Sequence, residues 1–156
     1  MSVTETMDLK KFIKPYPAHV QQLALWVREF VWDLYPNTNE LIYDNYNAVA
    51  FGWSITEKLG HTFCTVALAA RYIHLGFYWG NEISDPEKRL QGKGNQYRYI
   101  IIEEKKDLPK TYIKKLLKEA YANSLAKVKD ASEIVKGKTI VKSISAKKKR
   151  PGAATK

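Results

Sequence analysis

The sequence has a single cysteine, Cys64, and no uninterrupted apolar run long enough to cross a bilayer. One thiol excludes an intramolecular disulfide, and the apolar neighbours Phe63 and Val66 predict a reduced, buried side chain. The longest apolar stretch, residues 63–79, alternates in polarity and is interrupted by Arg71, so it predicts two strands and no membrane helix. The first residues are polar and lack the apolar core of a signal peptide. We therefore expect a cytoplasmic protein that has no membrane partner.

Acidic residues are scarce at the C-terminal end of the chain. Residues 127–156 hold ten Lys and Arg against two acids, whereas residues 1–126 hold sixteen against fourteen. The net charge of +10 therefore belongs mainly to the C-terminal segment, and we predict that residues 146–156 form a disordered basic tail. Clustered cations bind phosphates by counterion release, so weak nucleic-acid association is one possible role, and a merely solubilising terminus is another. The candidate nucleic-acid contacts are Lys142, Lys147, Lys148, Lys149 and Arg150.

Two segments carry apolar residues at spacings of three and four, which is typical of amphipathic helices. The first includes Val20, Leu23 and Val27, and the second includes Ile113 and Leu116. Five alternating segments between them, and a sixth at residues 139–144, predict strands. The fold class is therefore α+β: an antiparallel sheet of five or six strands with both helices on one face. The predicted order is one helix, five strands, one helix and one strand, in a single domain at residues 12–145 after a flexible segment at residues 1–11.

Polar side chains and glycines gather at two places in the predicted sheet. Residues 43–47 form a corner between the first two strands, and residues 80–98 form a connection longer than an ordinary hairpin loop. Each place has a structural explanation, since Asn and Asp form turns and Gly92 and Gly94 suit backbone with positive φ. Each also has a functional explanation, because the corner supplies polar groups and the glycine-rich loop, with Arg98, could cradle an anion.

The leading hypothesis is a binding module that holds a small polar or anionic ligand, or a partner segment, between the corner and the loop. The sequence shows no nucleophile–base pair and no histidines at metal-ligand spacing, so it favours a non-enzymatic role without a cofactor, and leaves an enzyme open. The predicted ligand-binding residues are Asp44, Asn45, Tyr46, Asn47, Trp79, Lys93, Asn95 and Arg98.

Several segments, in their order and spacing, resemble the YdhG-like family of domains of unknown function. The resemblance covers about residues 12–150 and is carried by residues 43–48, 56–58, 75–77, 85–86, 92–98 and 142–147. It implies an α+β domain similar in outline to frataxin, and it adds iron handling as an alternative function. Iron delivery requires clustered oxygen ligands, and the first predicted helix offers only Glu29 and Asp33.

Overall fold

The computed structural model describes residues 3–152, with side chains from residue 6, and this part of the chain holds three α-helices, six strands and four short 3-10 helices. The helices are α1 Val3–Ile13, α2 Ala18–Leu34 and α3 Lys110–Lys127. The strands are β1 Asn39–Asp44, β2 Val49–Ser54, β3 Thr62–Leu68, β4 Ile73–Phe77, β5 Arg98–Ile102 and β6 Thr139–Ile144.

The six strands form one sheet in the order β5-β4-β3-β2-β1-β6. All neighbouring strands are antiparallel except β1 and β6, which run parallel. Two parallel strands require a long connection between them. Here the chain runs from β1 through four further strands to β5 at one edge of the sheet, and the segment that contains α3 then leads to β6 at the other edge. The predicted α+β class and the six-stranded sheet are confirmed, and the parallel outer pair is a correction to the all-antiparallel prediction.

The helices pack on one face of the sheet, because the strands alternate between apolar and other side chains. Phe51, Trp53, Val66 and Leu75 point into the core formed with α1, α2 and α3. The opposite face carries half-buried side chains such as His74, and we call it the open face. No helix in residues 3–152 is both long and apolar enough to cross a membrane.

The N-terminal segment is a helix, so the prediction of flexibility at residues 1–11 is wrong for the described residues from Val3 onward. Leu9 and Ile13 are 0% and 1% exposed, and Phe12 packs against the same core. Spacings of three and four place these three side chains on one helix face, and burying that face stabilises the helix. Residues 1 and 2 lie outside the described residues.

Strand β1 carries two carboxylates, Glu40 and Asp44, on the helix-covered face, and both are fully buried. The Nε and Nη2 atoms of Arg28 each donate to the Glu40 carboxylate at 2.7 Å, and the Thr139 hydroxyl donates to it at 3.1 Å. A buried carboxylate requires such compensation, because moving it out of water costs several kcal/mol, on the order of the whole net stability. The carboxylate of Asp44 is paired instead with Lys148 and Arg150, near the C-terminal end of the described residues.

Candidate functional site

A groove on the open face of the sheet, which we call the open-face groove, encloses about 350 Å³. Its floor is low because strand register places small residues side by side, with Ala50 beside Ala67 and Gly52 beside Thr65. Aromatic side chains stand on either side of this floor. The lining residues are Tyr43, Asn45, Ala50, Phe51, Gly52, Leu59, Thr62, Thr65, Ala67, His74 and Tyr97.

Stacked rings from β4, β5 and the residues beside them form one wall of the groove. His74 stacks on Tyr99 with ring centroids 4.2 Å apart, and it stacks on Tyr72 at 5.5 Å on its other side. Tyr97 stacks on Tyr99 at 5.7 Å. These side chains therefore brace one another along the wall.

Gly76 is the reason that the Tyr97 ring can lie flat over β4. A Cβ atom at this position would overlap the ring and the hydroxyl of Tyr97. Burial in this position raises the pKa of Tyr97 to about 12, since the phenolate would lose its hydration. The phenol is therefore neutral at physiological pH.

The groove presents hydrogen-bonding groups without a formal charge. Burial lowers the pKa of His74 from its ordinary value of 6.5, so the imidazole is neutral at pH 7. The hydroxyls of Tyr43 and Thr62 are buried and have no hydrogen-bond partner among the described residues. The Ser143 hydroxyl donates to Asn45 Oδ1 at 2.7 Å, which orients the amide and leaves its nitrogen as a donor. The groove thus suits an uncharged molecule with at least one polar group.

The corner and the loop meet only in part. Tyr43 and Asn45 from the corner region and Tyr97 from the end of the loop line the same groove. Asp44 faces the opposite side of the sheet, where Lys148 and Arg150 bind its carboxylate. Alternation along β1 explains the separation, because Tyr43 and Asp44 must point to opposite faces. The prediction that Asp44 contributes to the ligand site is therefore wrong.

Three other predicted ligand residues also lie outside the groove. Asn47 lines a different cavity, beside the C-terminal segment, and Lys93 lines a third at the glycine-rich loop. Tyr46 is 52% exposed, and its carbonyl oxygen accepts hydrogen bonds from Lys149 and Arg150. The corner therefore distributes its side chains over several surfaces.

The remaining predicted residues have structural roles or stay on the loop surface. Arg98 Nη1 donates to the carbonyl oxygens of Gly94 and Tyr97 at 2.8 Å, so the guanidinium braces the loop. Trp79 Nε1 donates to Gly60 at 2.9 Å, and Lys127 lies over the indole at 4.6 Å. Asn95 is exposed and lines neither the groove nor the other cavities described above.

The basic C-terminal segment, residues 145–152, folds back onto the domain, and we call it the tail. Arg150 Nη2 donates to Asp44 Oδ1 at 2.6 Å and to the Asn45 carbonyl at 2.8 Å, and the arginine is 4% exposed. Lys148 also pairs with Asp44. The predicted disorder is therefore wrong for residues 146–152, because the buried carboxylate attracts two cations. Residues 153–156 of that prediction lie outside the described residues.

The candidate nucleic-acid contacts are unevenly available in this arrangement. Lys147 and Lys149 are exposed, whereas Lys148 and Arg150 are engaged with Asp44. Lys142 Nζ donates to the Glu57 carbonyl at 3.0 Å. Fewer cations are left for phosphates than the charge count alone predicts.

Sequence reasoning missed most of the groove, whose floor carries no chemically distinctive residue. The signal that could have revealed it is the alternation of small residues at Ala50, Gly52, Ala67 and Gly76 in three neighbouring strands. Small residues repeated on one face of adjacent strands leave a depression, because side chains on a strand alternate between faces.

No group of three or more His, Cys, Asp or Glu residues that could hold a metal occurs within residues 3–152. Burial raises the pKa of the Cys64 thiol well above its ordinary value, so the side chain is a neutral apolar group. Comparison of the chain with known protein families, curated proteins and solved structures finds no match. The YdhG-like resemblance, the cytoplasmic location and the iron and nucleic-acid alternatives therefore stay predictions.

Proposed function

We propose that this chain is a binding module whose ligand is a small, neutral, planar molecule held in the open-face groove. The observation that carries the proposal is the combination of a small-residue floor, aromatic walls and the exposed amide of Asn45 in one groove of about 350 Å³. Ligand sites are commonly concave and mostly apolar, with a few polar groups that orient the ligand.

The planar shape follows from the walls. Tyr97 and His74 stand over a floor of Ala50 and Ala67, and a flat molecule would contact the floor with one face. An aromatic ligand would also pair with the rings of Tyr97 and His74, and aromatic pairs contribute about 0.5–1.5 kcal/mol beyond the burial of apolar area. A bulky aliphatic ligand would forgo that contribution.

The neutral charge follows from the absence of any ionised side chain among the eleven residues that line the groove. Burying an ion without a counter-charge is costly, and only the hydroxyls and the Asn45 amide are available to solvate it. This narrows the ligand class expected from the sequence, in which a polar or anionic molecule was predicted. A carbonyl or hydroxyl on the ligand would accept from the Asn45 amide nitrogen, since Ser143 bonds only the amide oxygen.

A fragment titration of the full chain tests the proposal. Benzamide and nicotinamide, both neutral and planar, should shift the backbone amide resonances of Gly52, Thr65 and Ala67 in NMR spectra, whereas benzoate should leave them in place. Ala67→Phe should fill the groove and weaken benzamide binding at least tenfold, which corresponds to about 1.4 kcal/mol.

Ala122→Phe is the matched control, because it adds the same ring at an exposed position of α3. It should leave the benzamide affinity unchanged. The proposal is overturned if neither neutral fragment shifts the groove resonances of the wild-type chain, if benzoate binds there as well as benzamide does, or if Ala67→Phe and Ala122→Phe bind alike.

A further inference from the structure

A second cavity, of about 420 Å³, lies at the end of the sheet that the tail covers, and we call it the tail cavity. Tyr16, Asn47, the turn at residues 68–70 and tail residues 149–151 line it. It shares no lining residue with the open-face groove. The binding module proposed above makes no use of it.

Arg150 lines this cavity, but its nitrogen donors are enclosed by the protein. Arg150 is 4% exposed, and its terminal nitrogens donate to the Asp44 carboxylate and to the carbonyl oxygens of residues 45, 46 and 149. Its Nε atom is buried and has no hydrogen-bond partner among the described residues. A guanidinium always carries its positive charge, so this enclosed Arg150 acts on the cavity through its charge.

The side chains around the tail cavity carry a net positive charge. Lys148 and Arg150 already neutralise the single buried carboxylate of Asp44, and Lys149, which lines the cavity, adds a further cation. No Asp or Glu lines the cavity. Asn47 adds an exposed amide to the rim. A negative group in this place would therefore meet a net positive field.

The rest of the lining is apolar. Leu68, Ala69, Ala70 and Pro151 contribute hydrocarbon, and Tyr16 contributes a ring that lies under the Arg150 guanidinium, whose central carbon is 5.9 Å from the ring centroid. A fully hydrated anion such as phosphate would gain nothing from this surface, whereas an alkyl chain would be removed from water on it.

We propose that the tail cavity binds a carboxylate that carries an apolar chain. The carboxylate lies between Arg150, Lys149 and Asn47, where it meets the positive charge of the two cations and accepts a hydrogen bond from the Asn47 amide. The chain lies against the turn at residues 68–70 and Pro151. A neutral molecule of the same shape fails to satisfy the cations, and a small inorganic anion fails to use the apolar lining.

The test titrates the full chain with hexanoate, hexanol and inorganic phosphate while NMR follows the side-chain amide of Asn47 and the Nε–H of Arg150. Hexanoate should shift both signals in a saturable way. Hexanol and phosphate should shift them at least tenfold more weakly. Asn47→Ala, read through the Arg150 signal, should also weaken hexanoate binding.

Lys149→Gln should weaken hexanoate binding about two- to fivefold, the effect of one exposed charge. Lys147→Gln is the matched control, since this neighbouring lysine is exposed and does not line the cavity. Arg150 itself stays unchanged, because its removal would leave Asp44 without its arginine partner. The proposal is overturned if hexanol or phosphate matches hexanoate, if the hexanoate shifts never saturate, or if Lys149→Gln and Lys147→Gln behave alike.

Discussion

Side-chain size at single positions determines the shape of the open-face groove. Ala50 and Ala67 keep the floor low, and the missing side chain of Gly76 allows the Tyr97 ring to lie down as a wall. None of these residues has a reactive group. They contribute the space that they leave beside aromatic neighbours. Adding a single methyl group at one of these positions therefore changes the shape of the groove.

Gly76→Ala should therefore move Tyr97 out of its position. The added Cβ overlaps the ring, and a side chain can rotate away more easily than the backbone of β4 can shift. Tyr97 then becomes hydrated, and its pKa should fall from about 12 toward the ordinary value of 10.0. An alkaline absorbance titration, compared with the same titration of Tyr97→Phe, measures this pKa.

Gly60→Ala is the control for that substitution, because the space around the new Cβ is open. It should leave the titration of Tyr97 as it is in the wild-type chain. An unchanged pKa of Tyr97 in Gly76→Ala would show that the backbone of β4 shifts while the ring stays in place. That result would contradict the role assigned to Gly76.

The tail is the element whose role differs most from the role that its composition predicts. A lysine-rich terminus is ordinarily solvated, yet this one supplies two cations to a fully buried carboxylate at the end of β1. The amide of Ser145 also donates to the Asp44 carbonyl at 2.8 Å, and the amide of Lys149 donates to the Tyr46 carbonyl at 2.7 Å. The tail thus holds the corner that carries Asn45 to the groove.

A chain that ends at Ile144 should lose about 3–5 kcal/mol of unfolding free energy, because the truncation leaves a buried charge without its partners. Urea unfolding followed by tryptophan fluorescence measures the loss. Introducing Asp44→Asn into the truncated chain should recover part of it, since a neutral amide is less costly to bury than a carboxylate.

In the full-length chain, by contrast, Asp44→Asn should be destabilising, since it removes the charge that Lys148 and Arg150 neutralise. Asp44→Asn should thus raise the unfolding free energy of the truncated chain and lower that of the full-length chain. These opposite effects distinguish the loss of an ion pair from a general effect of the asparagine. Equal effects in both chains would contradict the assigned role of the tail.

At the scale of the molecule, the core and the tail should unfold as one unit. Besides β1, the tail contacts α1, with Lys148 Nζ 5.5 Å from the Phe12 ring centroid, and the link between α1 and α2, where Arg150 lies beside the Tyr16 ring. Cooperative units in proteins follow such shared burial. A tail that was merely adsorbed would instead detach before the core opens.

A dye attached to the introduced thiol of Lys149→Cys should report the same urea midpoint as tryptophan fluorescence does. Selective labelling is feasible because the native Cys64 is fully buried with a raised thiol pKa. A dye transition at clearly lower urea would show that the tail is a separate, weaker unit. The same dye on Lys115→Cys, at an exposed position of α3, serves as the reference for the core.

Much of the fold could be predicted from the sequence, and the pairing between distant segments could not. Helix and strand periods are local, so α2, α3 and the strands can be read from neighbouring residues. The pairing of Asp44 with Arg150 joins residues 106 positions apart, and a lysine-rich segment has the same composition whether it is solvated or paired. Of the predicted ligand-binding residues only Asn45 lines the open-face groove, because polar residues stand out in a sequence, whereas alanine floors do not.

The pairing of Asp44 with Arg150 also bears on the order in which the chain can mature during synthesis. β1 is made early, but its parallel neighbour β6 and the cations for its buried carboxylate are among the last described residues to emerge from the ribosome. Contacts of such large sequence separation form slowly, since the loop must close before they can contribute. A nascent chain therefore exposes one edge of β1 until β6 has been made, and unpaired edges of this kind are where aggregation begins.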